Sequence, residues 1–556
     1  MTTSTSVDRD DPPILGANPF VGLTRGQVAA ALARIGQRAA VEPGALLATR
    51  LGALGDLVRV GVGRSDVEPD KGDRRFTDRV WRENPVFRRI AQAYLVEQRA
   101  AHRLIDEVEL DKKSRDRAHF AMSLLTEAAA PTNNPLTNPN ALAKAAQTRG
   151  QSLVAGVRHL AHDVRHNGGM PSQVDTRPYE VGRNLAVSPG QVVHRTEVFE
   201  LIQYAPSTTR VYERPLVLIP PQINKYYITD LAPGRSLVEA TVAAGIQYFT
   251  LSWRNPTSEQ RDWNLDTYAA ACREAIEVAC DITGSDDANV AGMCAGGITL
   301  AALLGHLAAI GESSLVHSAT FCVAGLDSTS ESTVASLTSR RAVEAARARS
   351  RRAGILSGDD MAKVFAWLRP NDLVWNYWVN NYLMGENPPA FDILYWNNDT
   401  TRLPAGLHSD FLDLYLTNGL VEGNLDVLGT TVDLGKVDCD AFVVAGHTDH
   451  LIPWDAAYRT TQVLGGDSTF VLSNGGHIQA ILNPPGNPKA AYLVSETLPP
   501  TADEWRANAT QVAGSWWSAW HGWLAARSGQ QVRARKRVGN VAHAPLDPAP
   551  GRYVLL

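Results

Sequence analysis

Two textures of hydrophobic patterning divide the chain. From about residue 18 to about 147, apolar residues recur at spacings of three and four, as in QVAAALARI (27–35), VFRRIAQAYLVEQRAAHRLIDEV (86–108) and RAHFAMSLLTEAAA (117–130). That spacing lines one side of a helix, and no strand pattern interrupts it. PTNNPLTNPNA (131–141) is turn chemistry between helices. The Gly/Pro/polar stretch HNGGMPSQVDTRPYEVG (166–182) is a connector between domains. Residues 1–17 are polar and Pro-containing, a composition that predicts a disordered tail. The expected organisation is therefore a tail at 1–17, a helical N-terminal domain at 18–180 and a second domain at 181–556.

Beyond the connector, short apolar runs alternate with helical stretches. The runs are VFELIQYA, PLVLIPP, IQYFTLSW, NVAGMC, SATFCVA, AFVVAG and TFVLS, and helices fit between them at 236–245 and 266–282. Apolar runs bounded by turn signals and separated by helices predict βαβ units on a mostly parallel sheet, an α/β fold. Cys272 and Cys280, eight apart, fall on the core face of the second helix. Between SATFCVA and AFVVAG lies far more chain than the roughly 30 residues of one βαβ unit, so an insertion is expected at about 323–432. Its richness in Trp, Tyr, Asn and Pro suits a cap over a site. In the tail, Trp516, Trp520 and Trp523 stand at helical spacing, as core-packing residues would.

Composition narrows the class. The 556 residues are 44% hydrophobic and 20% charged, a globular composition. Fifty-three Lys plus Arg against 58 Asp plus Glu leave a net charge of −5, which offers no general attraction to nucleic acid. The start has neither the basic nor the apolar region of a secretory signal, and no apolar run reaches the ~18 residues of a membrane span. A cytoplasmic protein is expected. The five cysteines form no CxxC pair and no metal-spaced cluster, which predicts neither a disulfide framework nor structural zinc.

The chemistry concentrates at Gly292-Met293-Cys294-Ala295-Gly296-Gly297, between the strand-like ANVAG and the helix-like ITLAALLGHLAA. Strand, tight turn and helix, with glycines two before and two after the central residue, is the pattern of a nucleophile elbow with cysteine in place of serine. A free cysteine is more often a small buried hydrophobe. That reading leaves the three glycines without a reason, and GxxxxGK[ST], the mark of a phosphate loop, is absent.

An elbow predicts an acid and then a histidine after later strands. AFVVAG runs into HTDHLIPW, which places Asp449 in a loop after a strand, and TFVLS runs into NGGHIQ, which places His477 after the next. Read singly, Asp449 could be a turn residue and His477 an ordinary loop histidine; their order and spacing favour a triad. In it His477 takes the proton of Cys294, Asp449 fixes the imidazole, and the sulfur attacks a carbonyl carbon. The oxyanion would meet the backbone N–H of Ala295 and that of Ile223, the latter in the loop Pro220-Pro221-Gln222-Ile223-Asn224, whose prolines have none to offer. His450, beside the acid, is a candidate to support the loop, and His447 is a weaker one. Cysteine suggests acyl transfer more than hydrolysis, because a thioester stays activated toward a second nucleophile.

These residues resemble the polyhydroxyalkanoate synthases of the α/β-hydrolase superfamily. Besides GMCAGG, GHTDHLIPW and SNGGHIQAILNPPGNPK, the resemblance rests on VGRNLAVSPGQVV, LIQYAP, IPPQINKYYITDL, SWRNP, the stretch from LRPNDLVWNYW to DTTRLP, and PGRYV, with RFTDRVWRENPVFRRIAQAYL and PTNNPLTNP in the N-terminal region. It implies an α/β-hydrolase fold with a cap and a helical N-terminal domain. The implied enzyme takes (R)-3-hydroxyacyl groups from CoA thioesters, holds them on Cys294, and extends a polyester with release of CoA. Asp449 and His477 fall on the family's acid and base, and either is open as the activator of the attacking hydroxyl. The resemblance is to the single-subunit type, nearer the medium-chain-length enzymes, although Met293 and His447 depart from both groups. It implies no cofactor or metal, no obligatory second subunit, a homodimer, and association with polyester granules in the cytoplasm. The basic run Arg533, Arg535, Lys536 and Arg537 reads as a solvated face. The alternatives are a thioesterase or related hydrolase using the same triad, and a non-catalytic granule-surface protein of the same fold.

Overall fold

The computed structural model describes residues 43–329 and 340–556. The expected tail at 1–17, the helix expected at 27–35 and part of the insertion lie outside the described residues. The chain divides into two compact units. One takes in the described residues up to Asp175 together with 340–342 and Asp360–Ala390; the other holds Thr176 onward with the remainder of the described insertion. The insertion expected at about 323–432 is thus shared between the units.

The first unit is helical. Asn84 ends one turn and caps the helix Pro85–Asp106, its side chain accepting from the N–H groups of Val86 and Phe87, while Pro85 occupies the first turn, where no N–H is needed. Ala91, Gln92, Leu95, Val96, Ala100, Leu104 and Ile105 are the buried positions of this helix, the three-and-four spacing that the sequence displays. Lys112–Ala128 and Gln151–His166 supply further helices.

The second unit is built on a ten-stranded sheet. Its strands in chain order are β1 (Gly190–Arg195), β2 (Phe199–Tyr204), β3 (Leu216–Ile219), β4 (Tyr248–Trp253), β5 (Ala288–Met293), β6 (Val316–Cys322), β7 (Asp440–Gly446), β8 (Ser468–Ser473), β9 (Ala491–Val494) and β10 (Thr510–Ala513). Their spatial order is β1-β2-β4-β3-β5-β6-β7-β8-β9-β10. From β4 to β8 all neighbours are parallel, and the outer strands at both sides are antiparallel. This is the mostly parallel α/β-hydrolase sheet expected from the pattern. The seven apolar runs became β2 to β8. Strands covered on both faces read as continuous apolar runs, and β3 and β5 are buried at every position.

Helix ends follow local chemistry. Ser236 caps Leu237–Ala243 through the Glu239 N–H, and Asn264 caps Leu265–Thr283, which stops at Gly284 in the left-handed conformation. Cys272 and Cys280 are buried on that helix, as expected. In the tail, Trp516, Trp517 and Trp520 are buried, and Trp523 packs on Phe442. The basic residues Arg533, Arg535, Lys536 and Arg537 are all exposed, and Arg535 also reaches the carbonyls of Ile282 and Thr283 at the end of the Leu265–Thr283 helix.

Candidate active site

Four loops leave the carboxyl ends of parallel strands on one edge of the sheet, where open α/β sheets place their sites. β3 runs into Pro220–Asn224, β5 into Cys294, β7 into the loop of Asp449, and β8 into the loop of His477.

At the elbow, Cys294 has φ 49° and ψ −121°, a backbone conformation costly for a residue with a side chain. Its N–H is held by the Cys322 carbonyl at 3.0 Å, and the helix Ala295–Ile310 starts directly after it. The flanking glycines permit the turn. A Cβ on Gly292 would lie 2.6 Å from the Gly297 Cα, and one on Gly296 would collide with the carbonyl oxygens of Ile219 and Pro220. Gly296 therefore lets the start of the loop after β3, at Ile219 and Pro220, lie against the elbow. Ala295 opens its helix, so its N–H has no intrahelical acceptor.

The acid and the base are laced together. Backbone bonds join His447 N–H to Ser473 O and Thr448 N–H to Gly475 O, so the loops after β7 and β8 run side by side. Asp449 is oriented from two directions: Oδ1 accepts from the N–H groups of Leu451 and Ile452 at 2.8 and 3.0 Å, and Oδ2 accepts the Nδ1 proton of His477 at 2.6 Å. The side chains of His477 and Asp449 are 6% and 1% exposed. With Nδ1 committed to the carboxylate, the other ring nitrogen is left to serve Cys294, whose sulfur lies near enough to favour a charge on the imidazole. Burial opposes a charge on His477, but the Asp449 carboxylate and then the Cys294 sulfur outweigh it and push the imidazole up to about 10. His450 is half-buried in the same turn, next to the backbone groups that hold Asp449.

The remaining cysteines lack this setting. Burial pushes the thiols of Cys272, Cys280, Cys322 and Cys439 upward. Among the described residues no group of three or more His, Cys, Asp or Glu side chains is arranged to hold a metal ion, and no helix is long and apolar enough to cross a membrane.

Two residues that bond to the helix of His477 were not singled out in the sequence for that contact. His477 opens the short helix His477–Ile481, whose carbonyls at Ala480 and Ile481 would next pair with residues 484 and 485. Both are prolines and carry no N–H. The indole N–H groups of Trp516 and Trp517 take their place, at 2.7 and 3.1 Å. The available signal was a Pro-Pro pair after a helix and a buried Trp-Trp pair in need of acceptors.

Comparison with known proteins identifies the family. Residues 72–241 match the family described as poly-beta-hydroxybutyrate polymerase (PhaC) N-terminus, and 215–484 match the alpha/beta hydrolase fold. The chain is 50% identical to poly(3-hydroxyalkanoate) polymerase 2 of Ectopseudomonas oleovorans over 90% of both chains. It is 47% identical to polymerase 1 of the same organism over 97% of this chain and 96% of the other. Against the poly(3-hydroxyalkanoate) polymerase subunit PhaC of Cupriavidus necator it is 41% identical over 88% of this chain and 84% of that one. With an elbow cysteine, an α/β-hydrolase sheet and this degree of identity along nearly the whole length, the chain belongs to the poly(3-hydroxyalkanoate) polymerase family of acyltransferases.

Proposed function

We propose that this protein polymerises (R)-3-hydroxyacyl groups drawn from CoA thioesters, carrying the acyl group on Cys294 and releasing CoA. The observation that carries this reading is the set Cys294, His477 and Asp449 at the carboxyl edge of the sheet, with the imidazole bonded to the carboxylate and its charge favoured by the Cys294 sulfur.

In the proposed cycle, the raised imidazole of His477 already holds the proton shared with Cys294, and the sulfur attacks the thioester carbonyl carbon. The oxygen that becomes negative faces the N–H groups of Ala295 and Ile223, and the positive end of the helix beginning at Ala295 favours the same charge. Collapse forms the acyl–Cys294 thioester, and the CoA sulfur leaves with the proton from His477. A hydroxyl of the next monomer or of the chain then attacks the acyl carbon, gives its proton to His477, and the sulfur departs to regain it. Both oxygens of Asp449 are engaged and its side chain is all but sealed from solvent, which favours His477 over Asp449 as activator of that hydroxyl. His450 serves the turn that holds the acid. The reading needs no metal, cofactor or second subunit. It places a homodimer at the surface of polyester granules in the cytoplasm.

The test supplies purified protein with (R)-3-hydroxybutyryl-CoA and with a longer (R)-3-hydroxyacyl-CoA, following free CoA with a thiol reagent and the acyl product by chromatography. CoA release accompanied by insoluble polyester is expected. Release with only free hydroxy acid would mean that water resolves the acyl-enzyme and would replace this reading with a hydrolase.

A further inference from the structure

We infer that residues 396–401 of the insertion are a strap that sets the position of the oxyanion loop, with Asp399 and Thr401 as its positioning residues. The inference rests on the reading of Cys294 as acyl carrier and of the Ile223 N–H as oxyanion donor.

The loop Pro220–Asn224 has little regular structure to hold it. It leaves β3, makes a turn, and enters the short helix Tyr226–Thr229. Its position is secured by another stretch of chain. Thr401 Oγ1 donates to the Gln222 carbonyl at 3.0 Å, and Asn224 bridges Thr400 backbone to backbone. The indole of Trp396 donates to the Lys225 carbonyl at 2.7 Å. The Lys225 ammonium, 8% exposed, pairs with Asp399 Oδ1 at 2.9 Å and donates to the Val554 carbonyl at 2.6 Å. Asp399 Oδ2 accepts from the Tyr227 hydroxyl at 2.8 Å. The strap therefore grips the loop both before and after Ile223.

This arrangement has a consequence for chemistry. An oxyanion donor acts through its placement, and a shift of a few tenths of an ångström weakens its bond to the transition state more than to the substrate. A strap that belongs to the insertion thus completes a site otherwise built on strand ends. Loosening it slows acylation of Cys294 while leaving the reactivity of the sulfur toward a simple alkylating agent intact, because alkylation generates no oxyanion.

The experiment compares Thr401→Val, Thr401→Ser and Asp399→Asn with the unaltered protein. Two rates are read on each: single-turnover acylation of Cys294 by a p-nitrophenyl 3-hydroxyacyl ester, and alkylation of Cys294 by iodoacetamide. The ester needs the oxyanion donors but no recognition of CoA. Thr401→Val, which keeps the shape and loses one hydrogen bond, is expected to slow acylation by about 3- to 10-fold, and Asp399→Asn by about 10- to 100-fold, with alkylation within about 2-fold. Thr401→Ser, which keeps the hydroxyl, should retain the normal acylation rate. Equal loss of acylation and alkylation, or no loss of acylation in Thr401→Val and Asp399→Asn, would overturn the inference. If the unaltered protein accepts the ester but no hydroxyacyl-CoA, the polymerase reading fails by itself, and the strap is still judged by the ester rates.

Discussion

His477 gives its Nδ1 proton to Asp449 across 2.6 Å, and the same carboxylate is held from behind by the N–H groups of Leu451 and Ile452. The bond fixes the direction of the ring, so the nitrogen turned toward Cys294 is the one that takes and returns the proton exchanged during the cycle. Asp449→Asn keeps the size of the side chain and loses the charge and the acceptor on the side facing the ring. CoA release should fall on the order of 1,000-fold or more with the fold preserved. Circular dichroism alongside the thiol assay checks it, and activity within 10-fold of normal would remove Asp449 from the mechanism.

Cys294 is the thiol of the five that combines partial exposure with a buried histidine whose charge its sulfur favours. Cys294→Ala should abolish both CoA release and the mass increment of a protein-bound acyl group with the fold preserved, since alanine keeps the Cβ that the elbow already accommodates. Retained acyl attachment in the variant, located by peptide mass spectrometry, would assign the nucleophile elsewhere.

Stability should carry the signature of the same pair. The His477 imidazole is pushed up to about 10 in the folded protein from an ordinary 6.5, so the folded state holds its proton more tightly than the unfolded chain does. That contribution is complete below about pH 6.5, declines as pH rises, and is lost above about pH 10. His477→Gln lacks it. The difference in Tm between the unaltered protein and His477→Gln should therefore be largest near pH 6 and shrink steadily toward pH 10. A difference that grows with pH would mean that burial, and not Asp449, dominates the ring.

Gly296 tests the close approach of elbow and oxyanion loop without touching a reacting group. A Cβ there would stand against the Ile219 and Pro220 carbonyl oxygens, backbone atoms that cannot turn aside. Gly296→Ala should cost about 1–3 kcal/mol in stability by overpacking, and a larger share of activity, because the displaced segment carries the Ile223 N–H. Denaturant melts and the ester acylation rate measure the two effects. Unchanged values of both would show that the loop can be moved without consequence.

The legible part of the molecule was the part in which one residue's environment is set by its neighbours in sequence. The central strands read as apolar runs because both their faces are covered, and Cys294, Asp449 and His477 could be placed because each follows such a run at a strand's carboxyl end. β1, β9 and β10 escaped because the strands toward the two ends of the sheet are only partly buried: β9 is half-buried throughout and β10 is largely exposed. The supports of the site escaped for a different reason. Trp516 lies 36 positions beyond Ala480, and Asp399 lies 172 beyond Tyr227. No periodicity links such pairs, and only the folded chain shows which acceptor an indole or a carboxylate found.

The tail tryptophans offer the sharpest test of how a remote residue reaches the base. Pro484 and Pro485 end the His477–Ile481 helix and leave the carbonyls of Ala480 and Ile481 without the usual donors, and the indoles of Trp516 and Trp517 supply them. Trp516→Phe keeps an aromatic ring in the core beside Phe442 but removes the N–H, leaving the Ala480 oxygen buried and unpaired at a cost of about 1–3 kcal/mol. If that bond only stabilises the fold, activity per folded molecule is unchanged and Tm alone falls. If it holds the helix that aims His477, acylation of Cys294 slows by about 10-fold in protein that is still fully folded at the assay temperature. The second outcome is expected, because the bonded carbonyl lies one turn from the imidazole it would steady, and normal acylation in folded Trp516→Phe would confine the tail to a purely structural part.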